Sequence, residues 1–263
     1  MTVTTLQHVL QHAYAGYAQT HKVPAHQRRA AEQLLRCRTA ALGGHVQRCE
    51  NGHIQGVWYN SCHHRSCPQC RGVPMEQWLA QQQARLLDCP HRHIVFTIPH
   101  ELQPLWRSAQ AVMTELLFAS VRETVMTLCR DAQHLGAEPG FLCALHTWGR
   151  SLSLHPHIHC LISEGGGDED HQFRAPRRRC FLPARVVMGL FRGKLLAKLR
   201  TLSPSSTLTL PTDWTPQQLI TLCNKLGRKK WNVNVRERYE HGGGVVKYLA
   251  RYVRGGPLKN SQL

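Results

Sequence analysis

Residues 151–162 read SLSLHPHIHCLI, and the placement of this stretch decides the fold. In an extended strand, successive side chains point to opposite faces. One set here is Leu152, Leu154, Pro156, Ile158, Cys160 and Ile162, apolar throughout and suited to a core. The other carries Ser153, His155, His157, His159 and Leu161, so three imidazoles project from the non-core side. Neutral imidazole is a common metal ligand, and neighbours on one strand face can share a divalent ion. A single histidine in a strand usually just finds a hydrogen-bond partner; three opposite a wholly apolar face call for more than that. Pro156 has no N–H to give a ladder and belongs at a strand edge, start or bulge. His157 and His159 are therefore the centre of the candidate metal site. His155 is a candidate beside them, and for a third ligand so are His146 across the expected hairpin and a distant Gln or Glu.

The chain has 263 residues, enough for one large domain or two modest ones. With 42% apolar residues it is globular and not disordered. Lysine and arginine outnumber aspartate and glutamate by 33 to 16, a formal charge of +17. Such a balance favours polyanionic partners, nucleic acid ahead of a membrane surface. No uninterrupted apolar run approaches the ~20 residues that span a bilayer. The N-terminus lacks the basic-then-apolar order of a secretory leader, so a cytoplasmic protein is expected. In that compartment eleven cysteines do not make a disulfide framework. Cys89, Cys129, Cys143, Cys160 and Cys223 sit in apolar or helical surroundings and read as small buried hydrophobes, with Cys37 and Cys180 likewise isolated.

Along the chain, residues 1–44 are expected to be helical, and 45–74, rich in Cys, His, Gly and Asn, to form a small metal-supported module. From 75 to 263, strands alternate with helices: a helix over 75–88, a strand over 91–99, and a long helix over about 101–134. A hairpin follows over 141–163, turning near Gly149-Arg150, then a polar loop. A short strand, two helices (the second capped by Thr215), the alternating strand WNVNVRERY and a glycine-bracketed helix complete the order. This order predicts an α+β domain on a mainly antiparallel sheet.

That last helix contains VVKYLARYV, with Tyr248 and Tyr252 four residues apart. On a helix they share a face, about 6 Å apart along the axis. Tyrosines so spaced are often packing residues, but Lys247, Arg251 and Arg254 surround these with positive charge. A tyrosine nucleophile suits a phosphodiester: the phenoxide attacks phosphorus, a divalent ion polarises the non-bridging oxygens, and the phosphotyrosine keeps the bond energy for rejoining.

His157-Ile158-His159 resembles the HUH motif of rolling-circle endonucleases, and Tyr248-x-x-x-Tyr252 resembles the paired nucleophile of their two-tyrosine class. With LHTWGRSLSLHPHIHCLISEGG and FLPARVVMGLFRGKL, the chain from about residue 30 onward is similar to the rolling-circle two-tyrosine transposases of bacterial insertion sequences, more distantly to Helitrons. The resemblance implies that 75–263 is an HUH nuclease domain, an antiparallel sheet flanked by helices. It implies one Mg²⁺ or Mn²⁺ ion held by His157 and His159, and a metal-dependent transposase that nicks and transfers single-stranded DNA at transposon ends and target. One tyrosine would leave a 5′-phosphotyrosine link and a free 3′-OH, and the second would serve another strand transfer. A nucleoid-associated protein is implied. The chain ends eleven residues after Tyr252, whereas members of the family continue further, so a C-terminally shortened chain is expected.

The cysteine module supplies a second metal. Cys67-Pro68-Gln69-Cys70 is a C-x-x-C knuckle whose two thiolates can share a tetrahedral zinc. Cys49, His53 and Cys62 are the candidates for the other two ligands, so four of these five residues are expected to hold structural Zn²⁺. Arg65 and Arg71, with His63 and His64, are placed for phosphate contacts. Two other readings compete with the nuclease. A catalytically silent zinc-ribbon DNA-binding protein left by a transposon predicts the same affinity without covalent chemistry. A zinc hydrolase using the three histidines leaves the tyrosines and the charge without a purpose.

Overall fold

The helical signals of the first 44 residues form α1 (Leu6–Thr20) and α2 (Ala25–Arg36) in the computed structural model of the chain. The structure describes residues 4–149, 151–177, 182–202, 208–253, 256 and 258–263, without the side chains of Arg251 and Tyr252. Thr5 caps α1 by accepting from the His8 amide. The next elements are the hairpin β1 (Gly44–Arg48) and β2 (Ile54–Tyr59), then α3 (Gly72–Gln83), β3 (His91–Thr97), α4 (Gln103–Ser108) and α5 (Gln110–Arg130). They are followed by β4 (Glu138–Trp148), β5 (Leu154–Gly167), β6 (Phe173–Arg174), α6 (Ala184–Leu202), α7 (Pro216–Gly227), β7 (Val233–Tyr239) and α8 (Gly243–Val253).

By its contacts the chain divides into two compact units. One is Met1–Gln82 with Ala250–Leu263, so it holds both the helical segment and the cysteine module; the other is Gln83–Leu249. Among the described residues no helix is long and apolar enough to cross a membrane.

The second unit is an antiparallel sheet in the order β4-β5-β3-β7, with β6 paired to the far end of β5. Helices α5 and α6 cover one face. Their buried positions recur every three or four residues, Met113, Leu117, Val121 and Val125 on α5 and Val187, Phe191, Leu195 and Leu199 on α6, and each helix thereby presents one apolar stripe. The stripes bury Ile94, Phe96, Ile158, Cys160 and Ile162 of the sheet, and the Phe191 ring packs edge-on against Phe96 at 5.0 Å and Trp231 at 5.7 Å. From Ile158 onward the apolar set of the histidine strand is therefore core, as its alternation requires, whereas Leu152 lies before β5 and is half exposed. At one end of this face buried Glu164 is held by Arg92 and by Arg238 Nε at 3.2 Å, tying β5, β3 and β7 together.

Three elements differ from the sequence reading. The long helix expected over 101–134 breaks at Ala109, whose φ of −130° and ψ of 46° separate α4 from α5. The helix expected over 75–88 spans Gly72–Gln83. The loop expected after Ser163 is partly strand: β5 runs on to Gly167 because Pro139 and Glu138 pair with Gly166 and Gly167. A Cβ at Gly166 would lie 2.0 Å from the Glu138 carbonyl oxygen, so only glycine permits this approach. Thr215 caps α7 in a reciprocal capping box with Gln218. Cys180 and part of the short strand expected next to it lie outside the described residues.

Candidate functional site

The sheet face opposite α5 and α6 carries the histidines. Cross-strand pairing puts His157 of β5 opposite Thr97 of β3 and His146 of β4, and His159 opposite Val95 and Ala144. His146, His157 and His159, all buried, bring a ring nitrogen each to within 4.8 Å of one another. His155 is not in this group. Between His146↔His157 and Trp148↔Leu154 the register shifts, because β5 has one residue more than β4 in this interval. That bulge falls at Pro156, which cannot donate to the ladder, and it puts His155 out of step with the face. His155 instead offers its carbonyl oxygen to His157 Nδ1 at 2.6 Å.

That contact fixes a tautomer. A carbonyl only accepts, so His157 Nδ1 carries the proton and its Nε2 lone pair is free for a ligand. His159 Nδ1 lies 2.7 Å from Nε2 of His93, on β3, leaving the buried His159 Nε2 without a hydrogen-bond partner. With the proton on His159 Nδ1, its Nε2 lone pair is also free. An orphaned ring nitrogen, in a group of three neutral imidazoles, fits a divalent cation.

The electrostatics agree. Burial holds His159 down at about 2, His146 at about 3 and His93 at about 4, and it also lowers His157. Mutual repulsion among the rings and the charge of Arg236 on β7 push in the same direction. All four are neutral donors at neutral pH. Unfolded histidine titrates near 6.5, so below that pH the unfolded chain takes up protons that the fold refuses. The stability these groups supply is present above about pH 6.5 and is lost as pH falls further. Thermal unfolding without added divalent metal is expected to show Tm dropping steadily from pH 7 to pH 5; a flat profile would contradict the burial of these rings.

Tyr248 stands over the group from α8. Its ring centroid is 5.6 Å from that of His159 and 6.4 Å from those of His146 and His93. Buried Val245, Val246 and Leu249 anchor the helix, and Tyr248 itself is 38% exposed, open to a substrate. The backbone enters α8 closely past His91, where a Cβ at Gly242 would be 3.1 Å from the imidazole. Lys247 is exposed beside it. Tyr252 follows one turn later in α8, its side chain and that of Arg251 lying outside the described residues, as does all of Arg254. His93 and Arg236 were missed from sequence, although both lie on alternating strands (HRHIVF and NVNVRER) whose period gives their face.

The first unit gathers four thiols: Cys37, Cys62, Cys67 and Cys70. Cys37 Sγ is 3.4 Å from Cys70 and 3.6 Å from Cys67, and Cys62 is 3.7 Å from Cys70. Tetrahedral zinc with ~2.3 Å bonds to sulfur sets its ligands about 3.8 Å apart, so the thiols already stand close to the edges of that tetrahedron. Burial pushes Cys62 up to about 11 and Cys67 higher, while for Cys70 burial is outweighed by hydrogen bonds from Cys37 and Cys67 that lower it. That lowering makes Cys70 the thiol of the four that gives up its proton to a metal most readily. Cys49 and His53 are elsewhere, 3.6 Å from each other at the exposed end of the β1–β2 hairpin. Their place in the expected set is taken by Cys37, which α2 buries with Leu34 against Cys67. Arg65 is exposed and Arg71 partly so, and with His63 and His64 they line a hollow of about 240 Å³ beside Cys70.

Comparison with known proteins finds relatives for both parts of the chain. The family described as "Transposase zinc-binding domain" matches residues 9–98, and that described as "Putative transposase", of the two-tyrosine type, matches 140–263. The chain is 35% identical over 242 residues to "Putative transposase y4qJ" of Sinorhizobium fredii (strain NBRC 101917 / NGR234), covering 90% of this chain and 61% of the relative. It is 33% identical over 240 residues to the transposase for insertion sequence element IS801 of Pseudomonas savastanoi pv. phaseolicola, covering 88% of this chain and 56% of the relative. The chain thus spans about 60% of the length of the curated relatives it matches. Among solved structures, the conjugative relaxase TrwC in complex with mutant OriT DNA is a distant likeness at 12% identity and a TM-score of 0.30, over 60% of this chain and 71% of that one. With two transposases aligned along nearly the whole chain, residues 9–98 belong to the IS91-type transposase zinc-binding family and residues 140–263 to the two-tyrosine putative transposase family.

Proposed function

We infer that the chain nicks single-stranded DNA and transfers the cut strand through a 5′-phosphotyrosine, as a rolling-circle transposase acting on transposon ends and target DNA. The observation that supports this reading best is the Tyr248 ring over three neutral, buried histidines whose ring nitrogens converge. His146, His157 and His159 would hold a divalent ion. When bound, it supplies Lewis-acid polarisation of the scissile phosphate and neutralises the charge developing on its oxygens. Three nitrogen donors match Mn²⁺ better than Mg²⁺, which prefers an oxygen shell. With the proton on His159 Nδ1, His93 Nε2 would accept that hydrogen bond and keep the Nε2 lone pair of His159 directed at the ion, a role such outer partners commonly play.

The chain's own groups do the rest. The Tyr248 oxygen gives up its proton and forms a bond to phosphorus; the bond from phosphorus to the 3′-oxygen breaks, and that oxygen leaves as a 3′-OH after taking up a proton. Arg236, whose charge already bears on His93 and His159, attracts the phosphate to this face. Lys247, Arg251 and Arg254 add positive charge along or just beyond α8 for the DNA backbone. Tyr252 would act in the second transfer. The first unit would bind structural Zn²⁺ through Cys37, Cys62, Cys67 and Cys70, with Arg65 and Arg71 contacting phosphates. The silent DNA-binding remnant and the zinc hydrolase gain nothing from the placement of Tyr248.

Incubation of the protein with Mn²⁺ and single-stranded DNA bearing the terminal sequence of its own element tests this reading. The expected products are a fragment with a free 3′-OH and a denaturation-resistant protein–DNA adduct on the 5′ side. DNA that is bound but never cut would favour the silent remnant.

The ligand set is tested separately by Mn²⁺ titration followed by electron paramagnetic resonance. Outer-sphere partners of metal ligands are worth about 10–100-fold in affinity, and His93→Leu is expected to fall in that range. His146→Ala should cost more than about 100-fold and His155→Ala less than about threefold. Equal losses at His146 and His155 would contradict the bulge at Pro156.

A further inference from the structure

The β1–β2 ribbon of the first unit carries a feature that the zinc site does not use. Cross-strand pairing sets His45 opposite Trp58 and Gln47 opposite Gly56 on one face, and Val46 opposite Val57 on the other. Two strands alone bury little, and here Trp58 is 46% exposed. Its indole is not loose, however. A Cβ built at Gly56 would meet indole Cη2 at 2.4 Å and Cζ2 and Cζ3 at 2.9 Å, so the six-membered ring lies down on the glycine backbone. The His45 ring is near-parallel to it, 18° between planes and 6.0 Å between centroids.

Covering a glycine with an aromatic ring steadies a strand, and that explains the underside of the indole. It does not explain why the residue stays 46% exposed, an aromatic surface left to water. The charge around it narrows the occupant. Residues 1–82 and 250–263 contain eleven lysines and arginines against three acidic residues, and Arg48 ends the same ribbon. An apolar protein partner gains little from such a surface, whereas a nucleic acid strand supplies both phosphates for the cations and flat bases for the ring.

We propose that Trp58, steadied by Gly56 and flanked by His45, is a stacking platform for a base of single-stranded DNA. The platform rests on the single-strand reading above and adds to it a place where bases, as distinct from phosphates, are gripped. A duplex hides the faces of its bases, so the platform also favours unpaired DNA.

The test uses the full zinc-loaded chain and fluorescence anisotropy with two labelled oligonucleotides of equal length, a thymidine tract and an abasic-spacer tract of the same charge. Trp58→Ala is expected to weaken binding to the thymidine tract by about 5- to 100-fold and to leave binding to the abasic tract unchanged. Trp58→Phe, which keeps a stacking ring, should stay within about threefold of the parent on both. An equal loss on both tracts would make Trp58 a structural residue and overturn the platform. No loss on the thymidine tract, with the parent binding it tightly, would overturn the platform alone and leave the face to a second copy or another segment of protein. A parent chain that binds neither tract would remove the single-strand reading together with the platform.

Discussion

Tyr248→Phe is expected to abolish the covalent protein–DNA adduct and to lower strand cleavage by at least about 10³-fold, with binding of uncut DNA nearly unchanged. The change removes one oxygen, and that oxygen is the only atom the proposed chemistry takes from the side chain. Among the described residues the histidine face offers no comparable nucleophile: the rings of His93, His146, His157 and His159 are buried, and the last three converge on the candidate metal position. Loss of a nucleophile is among the largest single effects known in enzymes, because the remaining groups then have no bond to form. The phenyl ring of the variant keeps the contacts that seat α8 over the sheet, so the loss is chemical and not one of folding. Gel analysis of labelled single-stranded DNA after denaturation measures it. An adduct of undiminished yield in the variant would remove Tyr248 from the first cleavage.

Cys37→Ser is expected to take the zinc content from about one ion per chain to near none and to unfold the first unit. Structural zinc contributes about 10–16 kcal/mol to small domains at neutral pH. This unit has a small core, in which Leu34, Cys37 and Cys67 are buried and Leu6, Leu10, Cys62 and Cys70 pack on them. Four of these seven buried or packed residues are thus themselves the proposed ligands of one ion, and without the ion they are thiols held against one another. Cys49→Ser, by contrast, is expected to retain zinc and to change stability by no more than about 0.5 kcal/mol, the usual range for surface positions. Metal analysis of the purified variants, with circular dichroism for the fold, separates the two. Zinc lost from Cys49→Ser and kept by Cys37→Ser would restore the ligand set expected from spacing alone.

These two residues show where sequence reading stops. Cys67 and Cys70 announce themselves by a two-residue spacing, which is a local property of the chain. Cys37 has no such mark. It sits at the end of an amphipathic helix, where a cysteine is indistinguishable from any small apolar residue, and only the packing of α2 brings it to the knuckle 30 residues later. The histidine strand divides in the same way. Alternation gave the apolar face and the pair His157 and His159, because strand period is set by backbone geometry. The third nitrogen depended on register between strands: β4 pairs His146 with His157, and the bulge at Pro156 removes His155. Proline hinted at the bulge, but the partner strand decided it. His93 and Arg236 follow the same alternation as the histidine strand. They could have been read from their own strands, but not their neighbourhood, since β3 and β7 reach β5 from distant parts of the chain.

The residue to which the DNA is attached separates Tyr248 from Tyr252 as the nucleophile. Trypsin cuts after Lys247, Arg251 and Arg254, so Tyr248 and Tyr252 fall in different peptides, 248–251 and 252–254. The adduct formed on single-stranded DNA with Mn²⁺ can be trimmed with nuclease, digested with trypsin and weighed by mass spectrometry. The expected result is a 5′-nucleotide mass on the peptide 248–251, absent when His146 and His159 are replaced by alanine. A nucleotide found only on 252–254, or on neither peptide, would contradict the assignment of Tyr248 as the nucleophile over the histidine face.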